Sequence, residues 1–409
     1  IEITMIRPVI LSLLLMLTAA GVTAQQSAEL PENVSQLRQM ANQAHAAGDK
    51  EAFRTVVARL HELRPNNSEY MYQLVLAHAA LDELDEAFNM MVTMQRQGLS
   101  YDFNDSPDSM SLRDKNLYEY LNDLMVKAGT PMGEYQVIAS LDSEVGRVEA
   151  IDWDSSREAL LVGTVTDGRL ISVTRDGGFR ELMRADSDNG LWGIHDLVVD
   201  AARNRLWLLS SATRFFSGYD QTDKGRSALF EFKLDTLELV KRYPVPVDGM
   251  PHLLGSAVMS ANGDLFLADH SLPIVYMLKA GGDCMVPVFA SKGLVALRGI
   301  AVSASGEVVY VADREMGILR LDLSSGEAKS VSRAETLNLG GIDGLEYVYG
   351  DLLVIQNGIR PQRILRLMLD DAGTRVTEIA PVMVAPADLD RPNYGTVSDE
   401  RVYFLARAK

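Results

Sequence analysis

The chain is 409 residues long and carries a net charge of −17. This length is too great for one ordinary hydrophobic core and predicts two domains. The strong negative charge argues against nucleic acids and anionic membrane surfaces as partners, because both repel an acidic protein.

Residues 1–24 predict a cleaved secretory signal. Met5 and Arg7 precede an apolar run, and small residues then lead to Ala24. The run is too short to count as a membrane span. One cysteine, Cys284, cannot form an internal disulfide, so we expect the exported protein to be stable through its core alone. These features predict a periplasmic or secreted protein of a Gram-negative bacterium.

Residues 25–130 predict a helical domain. Apolar residues recur there at helical spacing, as at Val56 and Leu60. Two segments around Ala52 and Ala87 lie 35 residues apart and resemble tetratricopeptide repeats. Two repeats are fewer than a free-standing solenoid needs, so this helical arm should pack on the rest of the chain or on another protein. A protein partner on the arm is expected by analogy of fold alone.

Residues 131–409 repeat one unit six times. Each unit has a short apolar strand, a turn and a second strand of branched or aromatic residues. The second strands are Leu160-Leu161-Val162, Leu206-Trp207-Leu208, Leu265-Phe266-Leu267, Val309-Tyr310-Val311, Leu352-Leu353-Val354 and Val402-Tyr403-Phe404. Gaps of 43 to 59 residues between them predict a propeller. The expected fold is an all-β six-bladed propeller preceded by a small all-α helical-hairpin domain.

The last unit contains only two strands before the sequence ends at Lys409. Residues 135–141, just before the first unit, alternate like a strand and have no partner in their own unit. We therefore expect this segment to complete the last blade and to close the ring.

One position of each unit should line the central mouth of the ring. Counting four residues back from the last apolar residue of each first strand selects Glu149, His195, Leu254, Arg298, Asp343 and Asn393. Innermost strands of a propeller run the same way, so these positions should meet at one end of the axis. We predict that all of them except Leu254 bind a small or peptidic ligand.

Two ring positions, Glu149 and Asp343, are carboxylates that can reach one ion near the axis, and Asn393 can add a carbonyl oxygen. Calcium prefers several such oxygen ligands, so these three residues predict a divalent cation site. A bound cation would polarise an ester or lactone carbonyl. The alternative is that Arg298 pairs with the carboxylates and leaves no room for a cation.

Proton transfer at the mouth has several candidates. His195 lies in the ring and suits a general base, a metal ligand or a hydrogen-bonding wall. His270 follows a second strand whose end should flank the mouth, and we predict it as an acid or base. An insertion at residues 213–226 carries aromatic residues that either rise over the mouth or pack against the helical arm.

Three motifs carry a family resemblance: Val148-Glu149-Ala150-Ile151-Asp152-Trp153-Asp154, Arg298-Gly299-Ile300-Ala301-Val302-Ser303 and Gly341-Ile342-Asp343-Gly344-Leu345. They resemble the regucalcin and gluconolactonase family of six-bladed propellers. Residues 188–246 also resemble the related major royal jelly and yellow proteins, which are commonly binders without catalysis.

The resemblance implies a metal site in the lactonase branch. There a Glu, an Asn and an Asp hold a divalent metal, and the Asp also acts as the base. The Glu corresponds to Glu149 and the Asp to Asp343, whereas Arg298 and Leu254 stand where that branch has Asn.

Three functions follow as hypotheses. The first is an exported ligand-binding propeller with a helical protein-interaction arm. The second is a metal-dependent lactonase or esterase-like hydrolase, with Glu149, Asp343 and Asn393 as ligands and Asp343 or His270 in proton transfer. The third is an envelope scaffold whose arm docks another protein.

Overall fold

A computed structural model describes residues 30–141, 143–246 and 248–408, so the predicted signal at 1–24 lies outside the described residues. The helical arm comes first. Its α-helices are α1 (Val34–Ala47), α2 (Lys50–Leu63), α3 (Ser68–Ala80), α4 (Leu84–Arg96) and α5 (Asn116–Ala128).

Helix boundaries in the arm follow from capping residues. The side chains of Asn33, Asp49 and Asn67 accept backbone N–H groups at the starts of α1, α2 and α3. Gly48 ends α1 with a φ of 69°, a conformation that favours glycine. Helices adjacent in sequence pack on one another through their apolar faces. The helical region is confirmed, and its assignment to the tetratricopeptide class stays a prediction.

Five four-stranded antiparallel sheets follow, each in simple chain order. Their strands are, in blade 1, β1 (Val148–Asp154), β2 (Ala159–Thr164), β3 (Leu170–Thr174) and β4 (Phe179–Met183); in blade 2, β5 (Gly193–Asp200), β6 (Arg205–Ser211), β7 (Ser227–Lys233) and β8 (Leu239–Pro244); in blade 3, β9 (Leu254–Met259), β10 (Leu265–Asp269), β11 (Ile274–Leu278) and β12 (Val286–Ala290); in blade 4, β13 (Leu297–Val302), β14 (Val308–Asp313), β15 (Gly317–Asp322) and β16 (Ala328–Ser330); in blade 5, β17 (Ile342–Val348), β18 (Asp351–Gln356), β19 (Arg363–Leu369) and β20 (Val376–Val384).

The prediction of six blades is wrong, because the described chain forms five four-stranded blades. The sixth unit forms only a hairpin of β22 (Gly395–Ser398) and β23 (Arg401–Phe404). After β23 the chain pairs β24 (Arg407–Ala408) with β21 (Leu389–Asp390), so among the described residues no third strand joins the hairpin. The first strand of each blade contacts that of the next, and β22 lies between β17 and β1. The two-stranded hairpin therefore closes the ring.

Residues 135–141 do not form the strand that the sequence predicts. They lie beside the hairpin through side chains: Ile138 packs against the apolar cluster that contains Tyr403, and Tyr135 and Phe404 pack against the same apolar cluster of blade 5. Within the described chain this segment shows no ladder hydrogen bonds to β23. No helix among the described residues has the length and hydrophobicity needed to cross a membrane.

The helical arm stands on the mouth face of the ring, which we define as the end where the first strands begin. Glu315, in the turn between β14 and β15, lies 3.1 Å from Arg38 and 3.0 Å from Arg64 of the arm. It also accepts a hydrogen bond from Asn67 at 3.1 Å. Turns between second and third strands lie on the mouth face, so these contacts place the arm over blade 4.

A buried polar network fixes the arm over blade 5 as well. The Arg363 guanidinium, at the start of β19, donates to the Gln97 carbonyl at 3.0 Å and to Gln356 at 2.7 Å. The Asn338 amide donates to the Gln97 side chain at 2.9 Å. Burial lowers the pKa of Arg363 to about 10, so the guanidinium remains charged at neutral pH. The side chain of Ile359, which follows β18, is buried in the apolar core of the arm and adds to this contact.

Candidate ligand site at the mouth of the propeller

A β-bulge marks the mouth end of the first strands. Pairing between the first and second strands skips Glu149, His195 and Asp343, and in blade 4 it skips Arg298 together with Gly299. A bulged residue is left out of the ladder and its side chain is re-aimed. The structure therefore brings these four predicted residues to the same end of the ring.

The predicted ring residue of blade 3 is displaced by one position. There the pairing skips Gly255, whereas Leu254 is fully buried in the core between blades. The first turn of this blade is one residue shorter than those of blades 1, 2 and 4, because Met259 pairs with Leu265. A Cβ on Gly255 would lie 2.2 Å from the His270 ring, so the imidazole occupies the place of the missing side chain.

Glu149 is buried and held by two basic groups. Its Oε2 lies 3.1 Å from His195 Nδ1, and its Oε1 contacts the Arg147 guanidinium. Burial alone would raise the pKa of Glu149, but the His195 and Arg147 contacts hold it below the usual value. Glu149 is therefore ionised at neutral pH. His195 is 5% exposed, and its Nε2 has no hydrogen-bond partner in the described chain.

Asp343 is likewise buried between donors. Arg314 Nη1 lies 2.7 Å from its Oδ1, and the Asn357 amide donates to its Oδ2 at 2.8 Å. Arg298 is more loosely placed, with its Nε 3.9 Å from Oδ1. The Arg298 guanidinium therefore does not hydrogen-bond to Asp343. Among the described residues it donates to one acceptor, the Leu297 carbonyl.

His270 and Asn393 are engaged by the fold itself. His270 Nε2 lies 3.0 Å from the Ser256 hydroxyl. Burial and the charges of Arg298 and His195 hold the pKa of His270 well below its usual range, so the ring is neutral at pH 7. The Asn393 side chain accepts the backbone N–H of Tyr394 at 2.9 Å. Their roles as proton donor and metal ligand stay predictions.

Other functional groups at the mouth lie outside the six counted positions; Arg314 and Asn357 belong to second-strand ends that the sequence predicts to flank the mouth, whereas Arg147 and Tyr394 were not predicted. Arg147 precedes its ring residue by two positions, and Arg314 and Asn357 follow the ends of second strands. Tyr394 follows Asn393 directly, and its phenol has its pKa raised by burial and by the charges of Glu149 and Asp343. An arginine near a predicted mouth carboxylate in the sequence, such as Arg147 near Glu149, could have indicated an ion pair. Only the fold shows which arginine pairs with which carboxylate.

Below the mouth an axial channel of about 240 Å³ runs between the first strands and β22. Asp152 in the channel accepts hydrogen bonds from Val199 N and the Thr396 hydroxyl, both at 2.8 Å. Asp196 accepts the Ala257 N–H at 2.7 Å. These two carboxyl groups tie neighbouring first strands together.

A third carboxyl group, Glu346, lines the same channel and has no hydrogen-bond or ion-pair partner in the described part of the chain. Burial raises the pKa of Glu346 well above its usual value, and the charges of Asp152 and Asp196 add to this. Burial also raises the pKa of Asp196, to about 8. These side chains retain some accessible surface because they face the channel rather than bulk solvent.

The predicted calcium ligands do not fit a divalent cation. Both oxygens of Glu149 and of Asp343 contact donors, and the Asn393 oxygen faces a backbone N–H. Among the described residues no group of three or more His, Cys, Asp or Glu can hold a metal ion. Calcium takes about 6–8 oxygen ligands, which this donor set does not offer. The calcium site stays a prediction that these contacts oppose.

The insertion of blade 2 reaches the rim of the mouth. Phe215 lies against two guanidinium groups, 5.2 Å from that of Arg147 and 5.3 Å from that of Arg214. The Ser217 N–H donates to the Thr166 carbonyl of blade 1 at 2.6 Å. Of the two predicted positions, the contacts place the insertion beside the mouth. Phe215 is 50% exposed there.

The fold and the site together define a β-propeller with a charged mouth and a helical arm packed beside it on blades 4 and 5. No family model matches the sequence, and no curated protein matches it.

Several solved structures resemble the chain weakly. A virginiamycin B lyase from Staphylococcus aureus has a TM-score of 0.44 at 13% identity, covering 63% of this chain and 77% of that one. A luciferin-regenerating enzyme has a TM-score of 0.46 at 12% identity, covering 64% and 83%. A nidogen/laminin complex has a TM-score of 0.43 at 12% identity, covering 57% and 79%. Likenesses this distant carry no argument about function.

Proposed function

We propose that the mouth of the propeller binds a small anionic ligand, with a carboxylate as the group that it recognises. The observation that carries this proposal is the convergence of Arg147, Arg298 and Arg314 on the mouth, where Arg147 and Arg314 pair closely with Glu149 and Asp343 while Arg298 has no carboxylate of the described chain within hydrogen-bond distance. Arg298 therefore presents a guanidinium without a close ion pair at the mouth, in a protein whose net charge is −17. A local positive charge of this kind attracts anions and orients them.

Arg298 is the group best placed to contact the ligand. Its side chain is 23% exposed, and its nearest carboxylate oxygen is 3.9 Å away, beyond hydrogen-bond distance. A planar guanidinium binds carboxylates through two parallel N–H groups. His195 supports the same site. Among the predicted mouth residues, it is the one with a buried polar atom, Nε2, that has no hydrogen-bond partner in the described chain.

The test is calorimetric titration of the full chain with succinate. We expect Arg298→Ala to weaken succinate binding at least about tenfold, which corresponds to about 1.4 kcal/mol. Added salt should weaken binding to the parent protein because charges dominate the contact. Arg180, an exposed arginine on the outer strand β4, provides the matched control, and Arg180→Ala should bind as the parent does. Absence of succinate binding, or equal binding by Arg298→Ala, would refute the proposal.

The proposal extends to export and to partners. We place the protein in the periplasm or outside the cell on the strength of residues 1–24. The helical arm, if its hairpins are tetratricopeptide-like, offers a surface for a protein partner.

The hydrolase with Glu149, Asp343 and Asn393 as metal ligands is disfavoured because the side-chain oxygens of these three residues already accept hydrogen bonds or ion pairs.

A further inference from the structure

We propose that the cleft between the helical arm and blade 5 is a second part of the ligand site. It takes the chain of an extended peptide whose acidic end lies at the mouth. This inference rests on the proposed function and specifies its ligand class.

The cleft is large and is built from both domains. Its volume is about 580 Å³, within the usual range of about 300–1,000 Å³ for ligand sites. Residues 67–69 and 100–101 of the arm form one wall, and residues 357–362 between β18 and β19 form the other. A ligand in the cleft would therefore contact the arm and the propeller at once.

Two residues connect the cleft with the mouth. Asn357 lines the cleft and donates its amide to Asp343, which lines the axial channel. Arg314 passes beside Gly358 of the cleft wall, where a Cβ would lie 3.1 Å from its Nη2, and it then pairs with Asp343. A chain lying in the cleft can thus place its end beside the arginines of the mouth.

The floor of the cleft is a fixed aromatic surface. Tyr101 is 7% exposed, its hydroxyl lies 2.9 Å from the Ser68 hydroxyl, and its ring stacks on Tyr72 at 4.9 Å. The Arg360 guanidinium lies 5.8 Å from the Tyr101 ring centre and makes no hydrogen bond within the described chain. Its N–H donors are therefore available to the carbonyl groups of a bound chain.

The charges along this path favour a peptide with an acidic end. The mouth presents the Arg298 guanidinium without a close carboxylate, whereas the cleft lining mixes the charged residues Glu69, Arg360 and Asp390 with the polar residues Asn357, Gln362 and Ser68. Such a polar, nearly balanced lining suits a backbone that presents both donors and acceptors. A small anion would contact the mouth alone.

Fluorescence anisotropy of the full chain tests the inference. The probe is a pool of fluorescein-labelled hexapeptides with random residues at the first five positions and a C-terminal Glu with a free carboxylate. Two variants change the cleft without touching the mouth: Arg360→Ala removes the free guanidinium, and Glu69→Trp fills the entrance. Matched controls are Arg180→Ala and Glu62→Trp, which alter exposed residues on β4 and α2.

We expect the pool to bind more tightly than succinate, and each cleft variant to weaken the pool at least about tenfold while succinate binding is unchanged. The controls should bind both probes as the parent does. If succinate binds but the pool binds no more tightly, or if the cleft variants bind the pool normally, the inference is overturned and the proposed function stands. If neither probe binds, both are overturned.

Discussion

The mouth and the axial channel lie on one axis, yet their carboxyl groups meet opposite surroundings. At the mouth, Glu149 and Asp343 each contact an arginine. In the channel, Asp152, Asp196 and Glu346 have no ion pair in the described part of the chain, and burial raises the pKa of each. The same residue type is therefore an ion-paired carboxylate in one region and a carboxyl group with a raised pKa and no ion pair among the described residues in the other. Nearby guanidinium groups decide between the two states.

The largest expected effect is a loss of stability as the channel carboxyls ionise. Burial raises the pKa of Asp196 from its ordinary 3.8 to about 8 in the folded protein. The folded state therefore retains a proton that the unfolded state loses, and the free energy of unfolding falls as pH rises between these values. We expect Tm to fall by several degrees from pH 5 to pH 8.5. Asp196→Asn should reduce this fall, as measured by calorimetry.

The control for the channel is Asp371→Asn, because Asp371 is an exposed aspartate before β20. It should retain the parent's dependence on pH. A parent Tm that does not change over this range, or an equal slope in Asp196→Asn, would contradict the assignment of a neutral Asp196.

Breaking one ion pair at the mouth should have the next largest effect. Arg314→Ala leaves Asp343, which is 4% exposed, with Asn357 as its remaining close donor. Leaving a buried carboxylate underpaired costs about 1–3 kcal/mol. Urea unfolding at pH 7 measures this, with Arg180→Ala expected within about 0.5 kcal/mol of the parent. If the two variants are equally stable, Arg314 does not balance Asp343.

Replacing the Glu346 carboxyl group in the channel with a neutral amide should stabilise the protein modestly. Glu346→Gln removes a carboxyl group that has no partner in the described chain, so we expect a Tm above the parent's at pH 8.5 and little difference at pH 5. Thermal unfolding at the two pH values is the measurement. A lower Tm at pH 8.5 would mean that Glu346 forms a stabilising contact as a carboxylate.

The smallest expected effect is that of calcium. Because the oxygens of Glu149 and Asp343 are engaged, millimolar calcium should leave Tm unchanged, whereas a cation bound only by the folded state would raise it. A rise in Tm that Asp343→Asn abolishes would restore the metal-dependent hydrolase as the better hypothesis.

Much of the propeller could be predicted from the repeats. Each repeat pairs a short apolar strand with a second strand of branched or aromatic residues, so Glu149, His195, Arg298 and Asp343 could be placed by counting from these strands. The count failed at Leu254, because a turn shortened by one residue shifts the register and moves a side chain to the opposite face.

The number of blades could not be counted in the same way. A repeat of two strands looks alike whether or not further strands join it. Residues 135–141 have strand alternation, but hydrogen bonding to β23 depends on how the chain approaches that edge.

The sequence by itself determined the helical arm, the propeller and most of the positions that face its mouth, because these follow from local periodicity. The tertiary structure decided which charges meet. Arg147 and Arg314 pair with carboxylates, Glu346 stays without a partner among the described residues, and the arm stands beside the mouth. Electrostatic pairing depends on distances of a few ångströms between residues that are remote in the chain, and no local pattern records those distances.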